Sequence, residues 1–200
     1  MQVITQNITE KMIAEALELD KAYYPQQYLL TMGQCLDYFH KNDQIYTMLV
    51  DDGHVIGYLN FSPITDDKYD EIQAGDCIDT SIEGKDIVEY LPGKEYSGYF
   101  SSIVIDRAYR GKGYGNLLVR LLSETIADLY SQGVVFKRII ADVLNDAGAA
   151  VVRNFGLTYY KKTKNHSTLY VGVFDPMMIK RTKYNDAMMA KYEKQEKTDD

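Results

Sequence analysis

Apolar side chains in this chain switch between two spacings, and the switches mark its elements. Met12, Ile13, Ala16 and Leu17 share one helical face. Thr9 stands where an N-cap belongs, and Glu10 puts an acid in the first turn, where the helix dipole favours it. Pro25 breaks that pattern. Leu29, Met32, Leu36 and Phe39 resume it as a second helix that ends near Asn42. Val3 and Ile4, ahead of both, suggest a short strand. Ile45 to Val50 and Val55 to Phe61 read as strands, and the Asp51-Asp52-Gly53-His54 turn between them carries an Asp-Gly hairpin signal.

The second half follows the same rules. Tyr99 to Ile105 reads as a strand. A helix begins at Gly113 or Tyr114 and runs to about Ser131, with Leu118, Leu121, Leu122, Ile126 and Leu129 inside. Gly133 suits the left-handed position that ends it. Lys137 to Val143 reads as another strand. Asn145 and Asp146 are N-cap candidates for a short helix through Phe155, closed by Gly156. Thr158 to Lys161 and Thr168 to Phe174 form a last pair of strands across Lys164-Asn165-His166. After Pro176 the pattern weakens. Met177, Tyr184, Met188 and Tyr192 make a loose helical stripe in a polar tail, residues 176–200, whose charged end is expected to fray.

Residues 62–96 interrupt this rhythm. Pro63, Gly75, Gly84, Pro92 and Gly93 punctuate a polar, acidic stretch with short apolar pieces such as Ile87-Val88 and Tyr90-Leu91. A structureless loop of that length is uncommon in a compact domain. The segment is either a functional loop with some structure of its own or a mobile insertion.

Composition narrows the class. Two hundred residues with 46% hydrophobic side chains suit one domain, residues 1–175, followed by the tail. A net charge of −7 argues against a nucleic-acid partner and is compatible with a cationic one. Cys35 and Cys77 make no disulfide framework, and no Cys/His spacing suggests a metal site. The first residues lack a signal-peptide pattern, and no apolar run approaches the roughly 20 residues that span a bilayer. The expectation is a soluble, cytoplasmic protein without a membrane partner.

The segment from Ser101 to Gly115 carries the chemistry. It reads as a buried strand, a short turn and a glycine-rich loop that opens a helix. Such a loop presents unpaired backbone N–H groups, a natural seat for phosphate. The spacing Gly111-Lys112-Gly113-Tyr114-Gly115 fits neither the dinucleotide fingerprint nor a Walker loop. What remains is Arg110-x-x-Gly113-x-Gly115. Its glycines let the backbone curl around an oxyanion, and Arg110 and Lys112 add positive charge. The plainer reading is a tight strand-to-helix turn with glycines for geometry alone.

In the order strand, Arg110-x-x-Gly113-x-Gly115, helix, this segment resembles the pyrophosphate-binding motif of the GNAT superfamily, the acyl-CoA-dependent N-acetyltransferases. The two helices and hairpin before it, and the strand, Asn145, short helix and Gly156-Leu157 after it, resemble that family too. The resemblance implies an α/β (α+β) fold with a mixed, splayed six- to seven-stranded sheet flanked by helices. It implies direct transfer of an acetyl group from acetyl-CoA to a primary amine of a small molecule. It also implies that Ile103, Val104 and Ile105 lie along the pantetheine arm. The main chain of Arg110, Gly111, Lys112, Gly113, Tyr114 and Gly115 would hold the pyrophosphate. The Ile103 N–H would stabilise the oxyanion, and Asn145 would contact the CoA arm besides its N-cap role.

Two family roles do not carry over. Val152 stands where many members have the tyrosine that protonates the leaving thiolate. Tyr99 stands where some have a glutamate base. Tyr159 and Tyr160 are nearby hydroxyls with strand packing as the alternative, and Glu95 and Asp106 are carboxylates with solvent as theirs. His40, His54 and His166 read as surface residues. The acids from Asp66 to Glu95 would suit a lid over a polyamine, an aminoglycoside-like amine or a basic peptide, or else form a solvated excursion. Tyr69, Tyr90 and Tyr96 would pack that segment down or line a pocket. Two other readings stay open: an acyl-CoA-binding module without catalysis, and an enzyme acting on a protein N-terminus or lysine. A homodimer through a sheet edge or the tail is compatible with all of them.

Overall fold

Threonine hydroxyls start three of the helices. In the computed structural model, which describes residues 1–173, Thr9 accepts from the Met12 N–H and opens α1 (Glu10–Tyr23). Thr31 and Gln34 form a reciprocal capping box at the head of α2 (Met32–Lys41). Thr65 caps α3 (Asp66–Ala74), and Gly75 ends it at φ 78°. Two more helices follow, α4 (Tyr114–Ser131) and α5 (Asp146–Phe155).

Seven strands make one mixed sheet: β1 (Gln2–Ile4), β2 (Tyr46–Asp51), β3 (His54–Ile64), β4 (Lys94–Ile105), β5 (Val134–Val143), β6 (Thr158–Lys162) and β7 (Thr168–Gly172). Their order is β1-β2-β3-β4-β5-β7-β6, antiparallel except for β4 beside β5. This is the splayed, helix-flanked sheet expected from the sequence. Successive side chains in a strand point to opposite faces, so Tyr99 and Phe100 enter different cores, and a bulge at Ser101 then shifts the phase so that Val104 joins Tyr99. The first core holds α4 and α5, with Leu118 and Phe136 fully buried. The second holds α1, α2 and α3, with Ile13, Met48 and Ile140.

Where the sheet splits decides what it can do. β3 and β4 stay paired as far as Gly57 opposite Ile105. β5 leaves β4 after Ala141 opposite Phe100, and its last residues, Asp142 and Val143, pair with β7 instead. Beyond Phe100, β4 therefore has a partner on one side and a gap on the other.

Gly98 is required where the three aromatic-rich strands meet. A Cβ there would lie 2.6 Å from Phe61 Cζ and 3.1 Å from Phe136 Cδ1. Phe61 is itself held edge-on by Phe136 at 5.0 Å between ring centroids, so it has little room to yield. Gly98→Ala is expected to destabilise the fold by about 1–3 kcal/mol, the usual range for overpacking. Urea unfolding would show this as a lower midpoint at unchanged slope.

The 62–96 segment differs most from its sequence reading. β3 runs on to Ile64, β4 begins at Lys94, and α3 and two 3-10 turns (Asp79–Ser81 and Gly84–Asp86) lie between them. α3 buries only Lys68, Tyr69 and Ile72, so it has almost no apolar stripe to read. The lid of acids is corrected as well. Asp66 pairs with Lys137 and Arg138, Asp70 with Arg138, Asp76 with Lys164, and Glu89 with Lys41. These acids face outward and tie the segment to its neighbours. Lys137 and the other donors hold the Asp66 carboxyl down at about 2. Tyr69 is buried beneath the Arg138 guanidinium, 4.0 Å from its ring centre, while Tyr90 and Tyr96 pack against Phe136. The tail stripe from Met177 to Tyr192, and Phe174, lie outside the described residues. Among the described residues no helix is long and apolar enough to cross a membrane.

Candidate active site

The gap exposes main chain in a fixed pattern. Antiparallel pairs alternate between bonded and non-bonded residues. The Asp106 N–H bonds Ile56 O at 2.9 Å, which fixes the phase. With Ile103 opposite Leu59 and Ile105 opposite Gly57, Ser102 and Val104 turn their backbone groups to β3. Ile103 and Ile105 therefore turn theirs to the gap.

Beyond β4 the chain makes a turn capped by Asp106, whose side chain accepts from the Ala108 N–H at 2.8 Å. Gly111 and Gly113 then take φ 76° and 82°, a region that L side chains avoid. α4 starts at Gly113 with no side-chain cap and no acid in its first turn. The first backbone N–H groups of a helix have no partner within it, so Tyr114, Gly115 and Asn116 offer theirs outward. A Cβ on Gly111, Gly113 or Gly115 would meet no atom within 4 Å. The loop is thus an open cradle of N–H groups at the positive end of a helix dipole, as an anion requires. Arg110 braces it: its Nε donates to Ile105 O at 3.0 Å and its guanidinium lies 4.2 Å from the centre of the Tyr23 ring. Lys112 sits over Tyr109 at 4.7 Å.

A cavity of about 840 Å³ joins the cradle, the open edge of β4 and a deeper, tyrosine-walled chamber. Asn145 is on its wall and also accepts from the Gly148 N–H at 2.9 Å, as an N-cap does. Val152 is 2% exposed and brings no hydroxyl. Tyr159 and Tyr160 are exposed on β6 and do not line the cavity, nor does the exposed Glu95. His40, His54 and His166 are on the surface.

Four residues in the chamber take on roles that the sequence reading did not single out, Asp79 having stood there only among the acids from Asp66 to Glu95. Tyr24 precedes Pro25, which disfavours helical geometry in the residue before it. Tyr24 leaves α1 at φ −106°, ψ 144°, while its N–H still bonds Asp20 O. Its hydroxyl interacts with the Ser102 side chain and the Ile103 backbone, and burial, aided by nearby Asp20, raises its pKa. Asp20 is 9% exposed, accepts from the Tyr58 hydroxyl at 2.5 Å, and is pushed by burial to a pKa of about 7. Asp79 accepts from the Tyr99 hydroxyl, and burial together with Asp142 and Asp20 drives its pKa up. Burial also raises Asp142. Asp20 was the most legible of the four, because it takes a core position on the α1 face that buries Ile13 and Ala16.

Relatives with this architecture are known. Ard1 from Thermoplasma volcanium superposes with a TM-score of 0.57 at 13% identity, over 85% of this chain and 93% of that one. The loading GNATL domain of CurA from Lyngbya majuscula gives 0.62 at 10% identity, over 86% and 98%. Naa20 from Chaetomium thermophilum, in complex with a bisubstrate analogue, gives 0.58 at 14% identity, over 86% and 84%. At these identities the likeness is one of fold. No curated protein matches the sequence. Residues 13–155, which hold the capped helices, the split sheet, the cradle and α5, match the acetyltransferase (GNAT) family, and the chain belongs to that family.

Proposed function

We propose that this protein is an N-acetyltransferase that moves the acetyl group of acetyl-CoA directly to the primary amine of a small molecule. One observation carries the reading: the anion cradle, the open main-chain edge of β4 and a buried acid–tyrosine chamber share a single cavity. The cradle fits a pyrophosphate, since glycines at 111 and 113 leave free the space a Cβ would fill. The gap-facing groups of Ile103 and Ile105 fit the amides of a pantetheine arm. The thioester supplies an activated acetyl carbonyl next to that strand.

The chain's own groups then divide the work. An alkylamine is protonated at neutral pH and must lose a proton before it can attack. Asp20, with its carboxyl near neutrality, accepts that proton and passes it to solvent. The Ile103 N–H, which contacts the Tyr24 hydroxyl in the free protein, receives the negative charge that develops on the carbonyl oxygen. The Tyr24 hydroxyl donates a hydrogen bond to the departing sulfur and so fills the role that Val152 leaves open. Burial holds its proton tightly, which suits a hydrogen-bond donor better than a group that gives the proton up. As the C–N bond forms and the C–S bond breaks, the nitrogen sheds its second proton and the thiolate takes one up through water.

The test is thiol release from acetyl-CoA with polyamines, aminoglycosides, amino acids and peptides. Clear CoA binding with no release for any acceptor would make this an acyl-CoA-binding module instead. Tyr24→Phe is expected to lower kcat by about tenfold to a hundredfold, less than the loss of a full proton-transfer group because Tyr24 keeps its proton. Steady-state kinetics alongside CoA calorimetry would check it, and an unchanged kcat would remove Tyr24 from the mechanism.

A further inference from the structure

The chamber holds more carboxyl groups than one base needs. Asp20 comes from the last turn of α1, Asp79 from the 3-10 turn after α3, and Asp142 from β5 just past the split. Distant parts of the chain thus bring these three carboxyl groups to one cavity, which the exposed Asp146 at the start of α5 also borders. None of the three has a cationic partner among the described residues. Arg110 is the only Lys, Arg or His among the described lining residues, and it is held at the cradle by Ile105 O and Tyr23. Asp20 uses Oδ1 for Tyr58, and no hydrogen bond reaches its Oδ2 among the described residues. The Asp142 carboxyl interacts with the Ser167 side chain and the Val143 backbone, and its buried Oδ1 has no hydrogen-bond partner among the described residues.

Burying a carboxylate without a counter-charge is costly, so such a group keeps its proton until a cation arrives to supply the charge. A single metal ion does not fit, because no three such side chains among the described residues converge on one point. The same wall carries Ile13, Leu17 and Leu30 and the rings of Tyr28, Tyr38 and Tyr46. That combination of carboxyl groups with apolar and aromatic surface matches a flexible molecule with ammonium groups joined by methylenes. The methylenes would lie on apolar side chains, and the ammonium groups would meet carboxylates and ring faces.

We propose that the acceptor is an aliphatic diamine or polyamine, with one amine delivered to Asp20 and a second ammonium held by Asp79 and Asp142. This rests on the acetyltransferase reading above and names the substrate class of that same cavity. Of the acids of residues 66–95 it keeps Asp79 alone for cation recognition, since Asp66, Asp70, Asp76 and Glu89 are already paired on the outside.

The experiment compares α,ω-diaminoalkanes and triamines with monoalkylamines of equal chain length and with short peptides. Thiol release is the readout. The best diamine is expected to exceed its matched monoamine in kcat/KM by about a hundredfold, the scale of a desolvated charge pair. Asp142→Asn should cut that ratio by about tenfold or more, and so should Asp79→Asn, which serves if the first variant fails to fold. Glu83→Gln, on the surface, should leave the ratio as it is. Equal turnover of diamines and monoamines, or a preference for peptides, would overturn the proposal and leave the acetyltransferase reading standing. If no acceptor releases thiol, that reading fails. Calorimetric titration of diaminobutane into the CoA complex then decides this one. Saturable binding that Asp142→Asn weakens upholds the dication site, and absence of binding overturns it.

Discussion

Gly113→Glu is expected to abolish CoA binding in a protein that still folds. Gly113 is the N-cap of α4 at φ 82°, so any side chain there carries backbone strain of about 1–3 kcal/mol. Glutamate adds two further penalties. Its bulk enters the space beside the loop, which no protein atom fills within 4 Å. Its charge faces the pyrophosphate from a few ångströms away, where one like-charge contact costs about 4 kcal/mol at an intermediate dielectric. The loss in affinity should exceed about a hundredfold. Gly113→Ala, which brings the strain without the charge, should fall between wild type and Glu. Calorimetry with CoA, and a thermal melt to establish folding, would check both. A folded Glu variant with wild-type affinity would sink the pyrophosphate assignment.

Asp20→Asn is expected to lower activity and raise stability, with the second effect growing with pH. As a general base Asp20 accounts for about a hundredfold or more in rate, and asparagine cannot take up a proton. The stability effect follows from where the carboxyl titrates. Its native pKa is about 7, against about 3.9 in an unfolded chain. A raised pKa means that the native state holds the proton more tightly than the unfolded one. The carboxyl is therefore harmless below about pH 4, and stability drains away as the pH climbs towards 7 and the buried group must ionise. Three units correspond to about 4 kcal/mol in total, and about 3–4 kcal/mol of it should appear between pH 4 and pH 8. Asparagine keeps the acceptor for the Tyr58 hydroxyl and does not titrate. Urea unfolding of both proteins at the two pH values would measure the difference. A gap that does not widen with pH would refute the buried, uncompensated carboxylate.

The cradle was legible because its requirements are local. Gly111 and Gly113 are demanded by their own φ angles, and the free N–H groups follow from the start of a helix. The open edge of β4 was legible for a related reason: main-chain recognition needs a strand and a split, and neighbouring elements in the chain imply both. The chamber was not, since Asp20, Asp79 and Asp142 are far apart in sequence and meet only through the tertiary fold. Two of them left a trace nonetheless. Asp20 interrupts the apolar face of α1, and Asp142 interrupts the run from Ile139 to Val143. An acid at a core position is a conflict with burial, and such conflicts tend to mark function. α3 escaped for the opposite reason: its cap, its first-turn acids and its terminal glycine were all present, but Tyr69 and Ile72 alone are too short a stripe to read as a helix.

The tyrosines around the chamber also make this protein an optical instrument. The chain has 18 tyrosines and no tryptophan, so no indole drains or masks phenol emission. Tyr24, Tyr28, Tyr38, Tyr46 and Tyr58 all border the cavity, and Tyr58 donates directly to a carboxylate, a bond that quenches its fluorescence. A cation drawing Asp20 away from Tyr58 would brighten that ring without any added label. The crowding of phenols that shapes the pocket thus lets the unmodified protein report, in its own emission, when the pocket fills.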